Sequence, residues 1–193
     1  MTQSDYFKRL HSLWENFSRW KEALLKPLYK SVRRDSFQNY IPISIISTFC
    51  RIMEKFLVNR IRLHYEDNGL WSEAQHVYRQ KRSCSMQLLG VIKDFQQFAD
   101  EGDPGDCIYF DFSKAFDKIC HSKLLQKLQN LVKRTCRWIE SFMIGRSQAV
   151  VVGQAKSSSI LVSSRVPQGS CLCPILLSIY INDLPSIIIK FCS

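Results

Sequence analysis

The stretch CIYFDFSKAFDK, Cys107 to Lys118, carries the sharpest chemical signal in the chain. Its run Cys107-Ile108-Tyr109-Phe110 is apolar, β-branched and aromatic, and too short for a helix, so it predicts a short buried strand. The run stops on a carboxylate, Asp111. An acid at the end of a buried strand is costly unless it is paired, hydrated or holding a cation. Beyond it, Ala115, Ile119 and Leu124 fall at spacings able to face a core, which predicts a helix from Ser113 to about Asn130.

Working outward, the composition sets bounds on any site around Asp111. The 193 residues suit one domain, and 46% hydrophobic residues exclude a disordered chain. Lys and Arg number 27 against 17 acids, a formal charge of +10 that points to a polyanionic partner. Nucleic acid is the main expectation and an anionic membrane surface the alternative. The eight cysteines include no Cys-x-x-Cys pair of the kind a structural zinc site uses, and several lie inside apolar runs as small hydrophobes. The start, MTQSDYFKRLHSLWENF, is too polar for a signal peptide, and Asn182, Asp183 and Pro185 interrupt the last long apolar run. The expectation is an intracellular protein, cytoplasmic or nuclear, without a membrane span.

Upstream of Asp111, Tyr6, Phe7, Leu10, Leu13, Trp14 and Phe17 repeat at helical spacing and predict a helix over 4–25. Pro27 should end it, giving way to a strand or loop. The loop around Arg33 and Arg34 is basic. From Ser47, a candidate N-cap, Phe49, Ile52, Met53, Phe56 and Leu57 form one helical stripe that ends near Asn68-Gly69. Arg79, Lys81 and Arg82 make a second basic patch. After Ser83, Leu88, Val91, Ile92, Phe95 and Phe98 mark another amphipathic helix, closed by the turn-forming run 101–105.

Downstream, 135–145 reads as a short helix. Ala149–Val152 and Ser159–Val162 read as two strands of a hairpin around 153–158. A turn, Val166-Pro167-Gln168-Gly169-Ser170, precedes a mostly apolar stretch from Cys171 to Leu184 that should be buried all round.

Taken together and in order, these blocks resemble the reverse transcriptase of non-LTR (LINE-type, jockey-like) retrotransposons. The residues carrying the resemblance are 20–30, NYIPIS at 39–44, RIMEKFLVNRI, Gln75-His76 with Arg79, DFSKAFDKICHSKLLQKL, RWIESFMIGRSQAVVVG and VPQGSCLCPILLSIYINDLP. It covers roughly residues 20 to 193.

The resemblance implies an α+β fold, a partial right-hand polymerase. Residues 1–19 would be an N-terminal helix, 20–104 fingers-like, and 105–193 an incomplete palm with a small antiparallel sheet backed by helices, all in one domain. It implies nucleotidyl transfer from deoxynucleoside triphosphates onto a DNA primer along an RNA template. The ions would be Mg2+, or Mn2+ in its place, two of which serve such chemistry and take hard oxygen ligands. Asp111 and the Phe112 carbonyl would bind metal. Lys30, Phe116, Gln168 and Gly169 would meet the nucleotide, with Phe116 against the ribose 2′ position or, on the residues alone, a core aromatic. Arg33, Arg34, Arg79 and Arg82 would meet nucleic acid. Asp117 reads as a helix N-terminal charge.

Departures from the family pattern set further expectations. Ile41 stands where the family has a triphosphate-gripping arginine, and isoleucine cannot bind an anion. Val77, Arg165 and Cys173 stand in place of glycines, at an expected cost on the order of 1 kcal/mol each. Ile187 to Phe191 reads as the approach to a strand that bears two adjacent aspartates in the family, but the sequence contains no Asp-Asp pair. The expectation is a truncated, degenerate domain without polymerase activity of its own. A non-catalytic nucleic-acid-binding relic is the alternative, and a poorly folding relic the third.

Overall fold

The computed structural model describes residues 21–30, 33–102, 106–113, 115–131, 133–162 and 169–192. The expected helix over residues 4–20 lies outside them, as do Arg165 and Gln168.

The first element among the described residues is β1 (Glu22–Tyr29), so Pro27 lies inside a strand and residues 22–25 are extended, not the end of a helix. Pro27 is tolerated because its β3 neighbour pairs only with residues 22–25, leaving it outside the part of β1 flanked on both sides. β2 (Tyr40–Ile45) runs antiparallel to β1, with Pro27 opposite Pro42 and Tyr29 opposite Tyr40. The expected hairpin is present: β3 (Arg146–Val152) pairs antiparallel with β4 (Ala155–Lys156) and β5 (Ile160–Val162). The sheet is mixed, not antiparallel as the resemblance implied, because β1 and β3 run parallel. Parallel neighbours need a long crossover, and the helices between these two strands provide it.

α1 (Thr48–Asp67) begins as expected, with the Ser47 hydroxyl accepting the Cys50 N–H at 3.2 Å. Its buried stripe is Cys50, Met53, Glu54, Leu57, Ile61 and Tyr65, rotated from the expected one, and Phe49 and Ile52 face outward. Both stripes have helical period, and packing selects between them. α3 (His121–Lys127) and α4 (Lys133–Met143) join α1 around α5 (Leu172–Tyr180), which is buried on nearly every side as its apolar run required. Trp138 stacks on Phe142 at 5.2 Å between ring centroids, and Tyr65 meets Trp71 at 4.7 Å.

The stretch around Asp111 differs from expectation. Residues 106–112 form no strand, and Ile108, Tyr109 and Phe110 are 73%, 79% and 65% exposed. A β-rich run becomes a strand only where a neighbour completes its hydrogen-bond ladder, and none of the described strands reaches it. The single helix expected over 113–130 is divided into a 3-10 turn at Ala115–Lys118, α3, and a second 3-10 turn at Leu128–Asn130.

α2 (Cys84–Glu101) is capped by Ser83 and closed by Gly102, as the pattern predicted, yet none of its residues is buried. The segment 187–191, expected to approach a strand, is instead part of α6 (Leu184–Cys192). Pro185 sits in its first turn, where the missing N–H costs no helical bond. Among the described residues no helix is long and apolar enough to cross a membrane.

Candidate nucleotide and nucleic-acid site

The NYIPIS motif and the Gly169–Ser170 end of VPQGS meet in space. Gly169 has φ +103°, and a Cβ built there would lie 3.2 Å from the Ser44 carbonyl oxygen and 3.6 Å from Ile43 Cγ2. Only glycine permits both that backbone conformation and that approach. The turn is therefore pressed against the end of β2, with Ser44 buried beneath it.

The turn is fastened from the other side by a side chain not singled out from the sequence. Glu54, fully buried on α1, accepts the Cys171 N–H through Oε2 at 2.7 Å. The Ser170 hydroxyl hydrogen-bonds the same carboxylate and also accepts the Leu172 N–H at 3.1 Å. The Cys50 thiol donates to Glu54 Oε1 at 3.5 Å. Burial raises the Glu54 pKa, while the Ser170 and Cys171 hydrogen bonds and the Arg146 charge pull the other way.

Arg146 opens β3 and is buried; Nη1 donates to the Phe142 carbonyl at 3.3 Å and the guanidinium lies 4.7 Å from the Phe142 ring. Desolvation lowers its pKa, and Cys50 and Glu54 partly restore it. An apolar environment also holds the flanking thiols protonated, with Cys50 and Cys173 each pushed up to about 12. The sequence held no hint of this cluster, because the stripe it favoured on α1 leaves Glu54 outside.

Lys30 begins the loop before β2, where its N–H donates to the Asn39 carbonyl at 2.9 Å. Asn39 Nδ2 donates to the Arg33 carbonyl at 2.8 Å and the Tyr40 hydroxyl to the Arg34 carbonyl at 3.0 Å, so the first two residues of NYIPIS shape the basic loop. Arg33 pairs with Asp35 at 2.7 Å, both exposed, and Arg34 lies over the Tyr29 ring at 5.3 Å. Ile41 stands opposite Leu28 on the sheet.

Arg79 and Arg82 are tied into their own segment. Arg79 donates to the Ser72 carbonyl at 3.0 Å and lies 3.9 Å from Glu66 and 3.7 Å from Glu73; Arg82 pairs with Glu73. That segment is docked on α5 by Asn182, which accepts the Ser72 N–H and donates to the Leu70 carbonyl, each at 2.9 Å. In the sequence Asn182 stands out only as an interruption in an apolar run. Glycine was expected to be missed at Val77 and Cys173, yet neither takes a positive φ. Among the described residues other than glycine, positive φ is found at Tyr78 and Lys81, and Cys173 sits buried in α5.

Asp111 and Phe112 are exposed, and Phe116 is half-buried against the core from its 3-10 turn. Among the described residues, no three His, Cys, Asp or Glu side chains gather where they could hold a metal ion. The donors present around Asp111 do not by themselves fit a two-ion centre, which requires several hard oxygens on rigid supports.

Residues 30–193 match the family described as Reverse transcriptase (RNA-dependent DNA polymerase). The chain is 27% identical over 168 residues to "Probable RNA-directed DNA polymerase from transposon BS" of Drosophila melanogaster, an alignment covering 86% of this chain and 18% of that protein. It is 28% identical over 164 residues to "RNA-directed DNA polymerase from mobile element jockey" of Drosophila funebris, covering 84% of this chain and 18% of the relative. A further relative, the jockey polymerase of Drosophila melanogaster, is 27% identical over 169 residues. The chain thus spans less than a fifth of the length of these relatives. A mixed sheet with a helical core, the contact between Ser44 and Gly169, and a match running through nearly all the described residues agree: this chain belongs to the reverse transcriptase family.

Proposed function

We propose that the chain is the nucleotide- and template-holding part of an RNA-directed DNA polymerase and does not polymerise by itself. The observation that carries this reading is the packing of Gly169 against Ser44, which joins two motifs distant in sequence into one backbone surface. Residues 20–104 act as fingers and 105–193 as part of a palm. Lys30, Phe116, Gln168 and Gly169 contact a deoxynucleoside triphosphate. Arg33, Arg34, Arg79 and Arg82 contact the RNA template and DNA primer, for which a charge of +10 is suited.

Asp111 and the Phe112 carbonyl contribute to a Mg2+ site, which Mn2+ can also fill, and further carboxylates are required to complete it. Ile41 removes one grip on the triphosphate. The free thiols favour a reducing intracellular setting, cytoplasmic or nuclear.

Primer extension on an RNA template with Mg2+ or Mn2+ is expected to give no template-dependent product from the purified chain; product would overturn its inactivity. RNA–DNA duplex binding, followed by fluorescence anisotropy, is expected to weaken linearly on a log–log salt plot. The charge also supports a second reading, a non-catalytic nucleic-acid-binding module. Tight duplex binding without any deoxynucleoside triphosphate binding selects that reading, and loss of both excludes it.

A further inference from the structure

Glu54 is a costly residue to place where it stands. A buried carboxylate gives up its hydration and is tolerated only where hydrogen bonds and opposite charge replace it. Two of its partners, Ser170 and Cys171, directly follow Gly169. Capping α5 does not require it, since Ser170 already accepts the Leu172 N–H. What Glu54 adds is reach: its bond to Cys171 spans 117 positions of sequence. It belongs to α1, which follows β2 after only Ile46 and Ser47. Both sides of the Ser44–Gly169 contact are thereby referred to one rigid element.

We propose that Glu54 is a positioning residue that holds the Gly169–Ser170 turn against the end of β2, so that Gly169 presents its nucleotide contact in one fixed place. This rests on the nucleotide reading of that turn given above. The work is done by an acceptor oxygen at the right reach, and the negative charge is incidental to it. Glu54→Gln keeps the reach without the charge, whereas Glu54→Asp keeps the charge and loses a methylene of reach.

Residue-resolved amide hydrogen exchange on the full chain separates the two. In Glu54→Asp, exchange at Cys171 is expected to quicken roughly tenfold or more relative to amides of α3 and α4. In Glu54→Gln it should stay near the parent rate. Ser170→Ala should speed Leu172 while leaving Cys171 protected. Equal exchange at Cys171 in parent and Glu54→Asp overturns the proposal, as does a Glu54→Gln variant that behaves like Glu54→Asp. So does a loss of protection spread evenly over the whole core.

Titration with deoxythymidine triphosphate and Mg2+, read at the Gly169 amide resonance, tests the consequence. Binding by the parent that weakens in Glu54→Asp and survives in Glu54→Gln supports the role. Undiminished binding in Glu54→Asp overturns it. A parent chain that does not bind the nucleotide removes the reading of the turn, and the exchange rates then decide the positioning role alone.

Discussion

Gly169 shows how much a single residue can be constrained. Its φ of +103° and its 3.2 Å clearance to the Ser44 carbonyl act together, and the obstructing atom is backbone, which cannot swing aside. Gly169→Ala is therefore expected to lower stability by about 1–3 kcal/mol, measured by urea unfolding. The thiols give a second test at this scale. Cys50 and Cys173 are buried with pKa values pushed up to about 12, while Cys120 is exposed and its pKa is lowered, first by the Ser122 hydroxyl. Iodoacetamide at mildly alkaline pH should label Cys120 early and spare Cys50 and Cys173 until the chain unfolds, as peptide mass spectrometry would show. Fast labelling of Cys173 in the folded chain would contradict its place in the core.

Among the elements, α1 and α2 look alike in sequence and differ in fate. Both are capped by serine, at Ser47 and Ser83, and both carry an apolar stripe at helical spacing. Leu57 on α1 is fully buried, whereas Leu89 on α2 is 65% exposed. Leu57→Ala should cost about 2–5 kcal/mol. Leu89→Ser should change stability by no more than about 0.5 kcal/mol. Thermal melts of the two variants check the contrast, and a large loss from Leu89→Ser would mean that α2 is packed. The caps and periods were legible because they depend on residues three or four apart. The packed face was not: on α1 the sequence favoured Phe49 and Ile52, and the helix turned Cys50 and Glu54 inward instead. The 107–110 run failed for a related reason, since its β-rich composition states a preference that only a pairing neighbour can satisfy.

Over the whole molecule, the core and the sheet both join the two halves of the chain: α1 packs with α5, and β1 pairs with β3. The buried charges lie near that junction and make stability depend on pH. Burial raises the Glu54 pKa above its ordinary 4.5, so the folded chain holds this proton more firmly than the unfolded chain. The contribution is fully present below about pH 4.5 and is lost as pH rises through the folded value. Urea midpoints for the parent and Glu54→Gln should therefore diverge in favour of the variant between pH 4.5 and neutrality. A constant difference across that range would show that the carboxylate does not titrate differently on folding.

The sequence by itself determined what short-range chemistry determines: the serine caps, the helix ends at Gly69 and Gly102, the hairpin read from 149–152 and 159–162, and ordered motif blocks that place the chain among reverse transcriptases. Tertiary structure alone decided that β1 runs parallel to β3, that Asp111 stands on an exposed segment, and that Glu54 reaches the Gly169 turn. Each of these depends on contacts between residues scores of positions apart. Such contacts are chosen by what packs and pairs in three dimensions, where many partners would satisfy the same local pattern.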